Sequence, residues 1–332
     1  MKSPPSLATL LENFFTQRLM LQRRVSTHTI ASYRDTFRLL LQFLQTRLDK
    51  APSTLALEDI DAPSVVAFLD DLEKARAVTA RTRNLRLTAI HSFFRYVAFE
   101  APTHAAQIQR VLAIPTKRFQ RALIPFLSRP EVDALLAAPD QRTWSGRRDH
   151  ALILLTVQTG LRLSELTGLR QEDLHMGTGA HVRVIGKGRK ERCTPLSTNT
   201  RAVLAAWLRE PRRAPDQPLF PNARGGRLSL HGVHYLLAKH VSAAAEVCPS
   251  LKQKRVSPHV LRHTTAMDLL HEGCEQCVIA LWLGHESIET TQVYLDADLE
   301  MKQRILDKTV PPNGKPGRYR PDDKLLAFLK SL

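Results

Sequence analysis

Apolar residues in the first part of the chain recur at intervals of three and four. Ile30, Tyr33, Phe37, Leu40, Leu41, Leu44 and Leu48 trace one face of a helix. Ser26 and Thr27 stand ahead of it as caps. A second, shorter helix is predicted from Val65, Val66, Phe68, Leu69 and Leu72, and a third from Leu87, Ile90, Phe94 and Val97. Arg81, Arg83 and Arg86 lie near the start of the third helix, on a side that either lies on phosphates or is simply solvated. The repeat then breaks. Pro102, Pro115, Pro125 and Pro130 interrupt the pattern, and Lys117, Arg118, Arg121 and Arg129 appear without an acidic residue among them. This reads as a basic linker, a natural place for a chain to cross a phosphate backbone. Ser128 and Glu131 then form a capping box ahead of Val132, Leu135 and Leu136, so a second domain starts near residue 122.

The second domain is predicted to be mainly helical with one β element. The runs 181–185 and 191–196 flank Gly186-Lys187-Gly188-Arg189-Lys190, a basic loop with glycines that closes a hairpin. Ser257-Pro258 and Gly273 bound a helix over 258–272. Pro311-Pro312-Asn313-Gly314 ends the compact part, and Leu325, Leu326, Phe328 and Leu329 follow on a short amphipathic piece. The expected architecture is mainly α with a small β-hairpin or sheet, in two domains. It runs as a helical domain over 1–105, a linker over 106–121, a second domain over 122–310 and a tail over 311–332.

Composition adds a partner. The 332 residues carry 48 Lys+Arg against 32 Asp+Glu, a formal charge of +16, which favours a polyanion: nucleic acid first, an acidic membrane surface second. No apolar stretch approaches the roughly 20 residues a spanning helix needs, and the start MKSPPSLATLLENFF has no signal-peptide core. The four cysteines are too few for a disulfide scaffold and fit a reducing, cytoplasmic setting. Cys274 and Cys277 have the spacing of half a zinc ribbon, but no second pair exists, and two small side chains on a helix is the preferred reading. No cofactor is expected.

Four clusters carry chemistry: Thr159-Gly160-Leu161-Arg162-Leu163-Ser164-Glu165-Leu166, the hairpin loop with Lys187, His259-Val260-Leu261-Arg262-His263, and Leu283-Gly284-His285 with Tyr294 nine residues on. Taken singly, each has a structural reading: an Arg162–Glu165 surface pair, a solubilised turn, two residues on one helix face, a core tyrosine. Together they suit phosphoryl transfer without a metal. Arginine forks match phosphate oxygens and stay charged. They neutralise charge that builds at phosphorus in the transition state. A tyrosine hydroxyl can attack phosphorus and hold it covalently, and a lysine at a hairpin tip can protonate the leaving 5′ oxygen.

These segments carry a resemblance. TGLRLSEL, VIGKGRKER, SPHVLRHTTA and LGHESIETTQVY occur in the order and spacing of the tyrosine recombinases, the phage-integrase superfamily, and resemble the Xer-like members most closely. The N-terminal part resembles that family's helical core-binding domain more weakly, and the resemblance implies a two-domain DNA clamp whose catalytic domain spans 122–310. The resemblance implies that Tyr294 is the nucleophile of a 3′-phosphotyrosyl link, that Arg162 and Arg262 clamp the nonbridging oxygens, and that Lys187 is the general acid. It implies His259 as a base, His285 as a phosphate contact, and His263 in a more structural role. Glu165 is expected to buttress Arg162 rather than react; Asp173 also sits where the family often has an acid. Arg189 and Lys190 are expected on the DNA backbone, with Arg81, Arg83, Arg86, Lys117, Arg118 and Arg121.

The implied function is a site-specific recombinase or mobile-element integrase acting through a Holliday junction, with double-stranded DNA as partner and a homotetramer on two duplexes. The tail is expected to pass between subunits. A type IB topoisomerase-like enzyme and a catalytically dead DNA-binding regulator are the alternatives; a hydrolase using His259, His263 and His285 on a metal lacks the carboxylates it would need. One departure stands out. Asp296 and Asp298 follow the tyrosine where Xer relatives usually carry Thr-His.

Overall fold

The computed structural model describes residues 5–119, 124–186, 190–210, 216–285 and 290–291. The chain divides into two compact units, Met1–Arg121 and Ala122–Leu332.

The first unit is helical. Helix α1, Leu7–Asn13, runs on as a π-helix over Phe14–Gln22. It is followed by α2, Thr27–Leu48, and α3, Ala62–Arg76. Helices α4, Ala80–Glu100, and α5, Ala105–Leu112, complete the unit. Ser6, Ser26, Asp61 and Thr79 each accept a backbone N–H at a helix start, which satisfies donors that the helices themselves cannot. The three predicted faces meet in one core, where Phe14, Phe37 and Phe93 pack edge to face with Leu40, Leu69 and Leu87 around them.

The start of the predicted linker is corrected here. Residues 105–112 are helical, and Ile108, Val111 and Ile114 are buried in the first core. Their spacing of three is a helix face that the surrounding prolines disguised. Lys117 is also tied down: its backbone exchanges hydrogen bonds with the Asn84 side chain (2.8 and 3.0 Å), and its Nζ meets Glu73 at 2.5 Å. Arg118 is exposed, and Arg121 lies outside the described residues.

The basic face of α4 is corrected too. Arg81 is exposed, but Arg83 is 4% exposed, with its Nε 3.6 Å from Glu73. It stands one turn before Leu87, so helical spacing puts it on the core side. Arg86 donates to the Ser32 carbonyl (3.1 Å) and the Thr36 hydroxyl (3.0 Å), which staples α4 to α2.

The second unit begins with α6, Arg129–Ala137, opened by the Ser128–Glu131 capping box. Helices α7, Trp144–Thr159, and α8, Leu163–Gly168, follow. A three-stranded antiparallel sheet comes next, in the order β1 (Leu174–His175), β2 (His181–Ile185), β3 (Glu191–Pro195). The β2–β3 register pairs Val184 with Arg192 and Ile185 with Glu191. Helices α9, Thr198–Leu208, α10, Leu230–Val247, α11, Pro258–His271, and α12, Gln276–Leu283, complete the described part.

Helix α7 is the spine of this unit. Its residues 151–155 are all buried. At its N-terminal end the Arg148 guanidinium grips Asp149, whose other oxygen meets His240 of α10 at 2.9 Å. The bridge fixes α7 against α10, so the C-terminal end of α7 has a defined position. There Thr265 of α11 donates to the Val157 carbonyl at 2.6 Å. The cysteines are free thiols; Cys274 packs beside Met267 and Leu270, and Cys277 is exposed on α12. Among the described residues no helix is long and apolar enough to cross a membrane.

Candidate active site

The end of α7 is a left-handed turn at Gly160 (φ 62°), and α8 begins three residues later. Arg162 occupies the cap position of α8. Glu165 accepts its backbone N–H at 2.8 Å and its Nη1 at 2.9 Å, so a capping interaction and an ion pair fix one side chain. Arg162 Nη2 donates to the Gly284 carbonyl at 2.7 Å, just past the end of α12. Arg262, 4% exposed on α11, donates from Nη1 to the Gly160 carbonyl (2.6 Å) and from Nη2 to the Leu283 carbonyl (2.7 Å). The two arginines are therefore held at the place where α7, α11 and α12 converge.

The histidines line the same place. His259 and His263, one turn apart on α11, stack with ring centroids 6.3 Å apart. His285 Nδ1 lies 2.8 Å from the Thr291 hydroxyl. Burial and the neighbouring His259 and Arg262 push His263 down to about 4. Burial, Arg262 and Arg162 do the same to His285, also to about 4. His259 is lowered as well, by desolvation and by Arg262 and Arg162. At neutral pH these rings are neutral, and the fixed positive charge belongs to the guanidiniums. Burial opposes ionisation of Glu165, but hydrogen bonds from Arg192 and from the Arg162 backbone outweigh it and hold its carboxyl below the usual range. One carboxylate shared by Arg162 and Arg192 leaves an excess positive charge, the electrostatics of an anion site.

The pattern decides the family. The phage integrase family model matches residues 125–301, and the model for the phage integrase N-terminal SAM-like domain matches residues 13–100. The chain belongs to the phage integrase family, the tyrosine recombinases. It is a DNA strand-transferring enzyme of site-specific recombination. The y4rC protein of Sinorhizobium fredii, an integrase/recombinase by its name, is 67% identical over 327 residues, 98% of each chain. The tyrosine recombinase XerC of Syntrophus aciditrophicus is 32% identical over 308 residues, covering 90% of this chain and 96% of that one. The fold is shared with solved recombinases. XerH bound to a palindromic difH substrate has a TM-score of 0.65 at 20% identity, covering 86% of this chain and 81% of that one. The Tn1549 transposon integrase with a circular-intermediate DNA has a TM-score of 0.65 at 14% identity, covering 90% and 98%.

In this tyrosine recombinase the described residues bring Arg162, His259, Arg262 and His285 together. Lys187, Arg189 and Tyr294 lie outside the described residues. Lys190 is exposed at the hairpin base, where its carbonyl accepts the Gly186 N–H at 2.8 Å. Glu165 does contact Arg162, as expected from the sequence. Asp173 instead caps the turn after α8, accepting the Arg170 N–H at 2.9 Å. Arg192 is the residue that sequence reasoning missed. Its Nη1 and Nη2 meet both oxygens of Glu165, at 3.0 and 2.7 Å. The one sequence signal for it was its place in VIGKGRKER, beside the hairpin loop.

Proposed function

We propose that this recombinase cuts and rejoins duplex DNA at specific sites through a 3′-phosphotyrosyl link on Tyr294. The Tyr294 oxygen attacks phosphorus as its proton leaves, with His259 as base. The bond from phosphorus to the 5′ oxygen breaks, and Lys187 supplies that oxygen's proton. Arg162 and Arg262 bind the nonbridging oxygens and neutralise the charge that builds there. His285, neutral at rest, donates a hydrogen bond to the same group. Attack by a 5′ hydroxyl from the partner strand reverses the step and frees the tyrosine. The phosphodiester is exchanged rather than hydrolysed, so the cycle consumes no ATP and asks nothing of a metal. Exchange of one strand pair and then the other passes through a Holliday junction, with four protomers on two duplexes. Arg81, Arg118, Arg189 and Lys190 meet the DNA backbone, and the 311–332 tail passes between subunits.

The observation that carries this reading is the pair of guanidiniums of Arg162 and Arg262, held by the C-terminal ends of two helices beside neutral histidines. The DNA complexes of XerH and of the Tn1549 integrase support the choice of partner. The test is covalent capture. Wild-type protein on a nicked duplex that loses its 5′ product should give a slow-migrating band on a denaturing gel. Tyr294→Phe removes one oxygen and leaves the arginines, so it should bind the same duplex and give no band. A band from the variant removes Tyr294 as nucleophile.

A further inference from the structure

We propose that Arg192 is a positioning residue for strand cleavage: it locks Glu165, and through Glu165 sets the Arg162 guanidinium, while fixing the base of the hairpin loop that carries Lys187. The inference rests on Arg162 being a phosphate clamp.

Three observations carry it. The first is the fork. Arg192 meets both carboxylate oxygens of Glu165, at 3.0 and 2.7 Å, while Arg162 takes the same carboxylate with its Nη1 and its backbone N–H. A carboxylate held from two sides has one orientation, and so does the guanidinium it holds. The second is the space around the fork. A Cβ on Gly186 would come 3.2 Å from Arg192 Nη1 and 3.3 Å from Glu165 Oε1; one on Gly284 would come 2.9 Å from Nη1 and 3.1 Å from Cδ. The guanidinium lies between two glycine backbones. One opens the hairpin loop, with its N–H on the Lys190 carbonyl. The other gives its carbonyl to Arg162 and precedes His285. The third is cost. The Arg192 Nε–H is buried with no hydrogen-bond partner among the described residues. A buried ion pair with an orphan donor is a poor device for stability alone. Its geometry serves better as a register, linking β3, α8 and the end of α12.

The test separates positioning from mere support. Full-length protein is timed for covalent adduct formation on a nicked duplex and on the same duplex with a methylphosphonate at the scissile position. That group lacks the charge the arginines neutralise. Half-site binding is measured alongside by gel shift. Arg192→Ala should slow adduct formation on ordinary DNA by about 100-fold, the scale of an ångström-sized misplacement. Half-site affinity should stay within about threefold, because most phosphate contacts are untouched. On the methylphosphonate the deficit of Arg192→Ala should shrink by about tenfold or more, as should that of Arg162→Ala. Arg192→Lys keeps one charged contact to Glu165 and should recover part of the rate on ordinary DNA; it carries the same comparison if the alanine variant does not fold. A deficit in the Arg192 variants that is equal on both substrates, or absent on both, overturns the inference when Arg162→Ala is relieved by the methylphosphonate. No relief for Arg162→Ala overturns the clamp reading itself.

Discussion

Arg262→Ala should destabilise the second unit as well as disable cleavage, and the size of that loss follows from the structure. The side chain is 4% exposed and donates to the Gly160 carbonyl at 2.6 Å and the Leu283 carbonyl at 2.7 Å. Each is a charge-assisted bond, about 1.5–3 kcal/mol when removed. Two of them sum to about 3–6 kcal/mol, and water entering the vacated space returns part of it, so about 3 kcal/mol is expected. The chain's three tryptophans, Trp144, Trp207 and Trp282, all lie in the second unit, so intrinsic fluorescence follows that unit alone. With a urea slope of about 2–3 kcal/mol/M, the midpoint should fall by about 1–1.5 M. Arg262→Lys can reach one carbonyl but not both, and should fall about half as far. A midpoint within about 0.3 M of wild type for the alanine variant would refute the reasoning, because it would mean that the carbonyls at the ends of α7 and α12 do not depend on this guanidinium.

Two further predictions concern charge. His263 and His285 accept protons near 6.5 when unfolded but only near 4 when folded. The unfolded state therefore binds more protons as pH falls; the second unit keeps its full stability above about 6.5 and loses it progressively toward 4. Tryptophan-detected urea midpoints across that window should flatten in His263→Gln/His285→Asn, and equal acid sensitivity in both proteins would count against the shifts. In the first unit, Arg118→Ala should reduce the slope of log affinity against log salt by about 0.9, one phosphate's worth of released counterions. Arg83→Ala should leave that slope alone and lower the melting temperature followed by helical circular dichroism, since Arg83 is buried against Glu73.

What the sequence made legible follows from how local each signal is. Ser257-Pro258 starts α11, and the Ser257 hydroxyl accepts the Val260 N–H, because capping needs only neighbours in the chain. The hairpin was legible for the same reason. Helix α7 was not: a helix buried on nearly every side has no polar stripe, and 151–157 reads as an apolar run broken only by Thr156. Helix α5 was hidden by flanking prolines although Ile108, Val111 and Ile114 kept a helical spacing. Arg83 illustrates the opposite error, a charge taken for solvent when its phase with Leu87 already placed it inside. The role of Arg192 could not be read locally, since the carboxylate it grips is 27 residues away and belongs to another element.

The choice of partners for the arginines explains how one buried and one half-buried guanidinium keep their positive charge uncancelled. Arg162 and Arg262 give N–H groups to the carbonyls of Gly160, Leu283 and Gly284, at the C-terminal ends of α7 and α12. Those ends carry the negative pole of the helix dipole, so they favour a cation. They hold it in a fixed direction through hydrogen bonds. Carbonyls, unlike carboxylates, carry no formal charge, and they orient a guanidinium without cancelling it. Had each arginine been held by its own aspartate or glutamate, the fold would be as firmly pinned and the site nearly neutral. Glu165 is the exception, and it is shared with Arg192, which restores the positive balance that its own charge removes. The helix ends that build the fold are therefore the parts that leave the site electropositive, and that ties the stability of the convergence point to the positive field it presents.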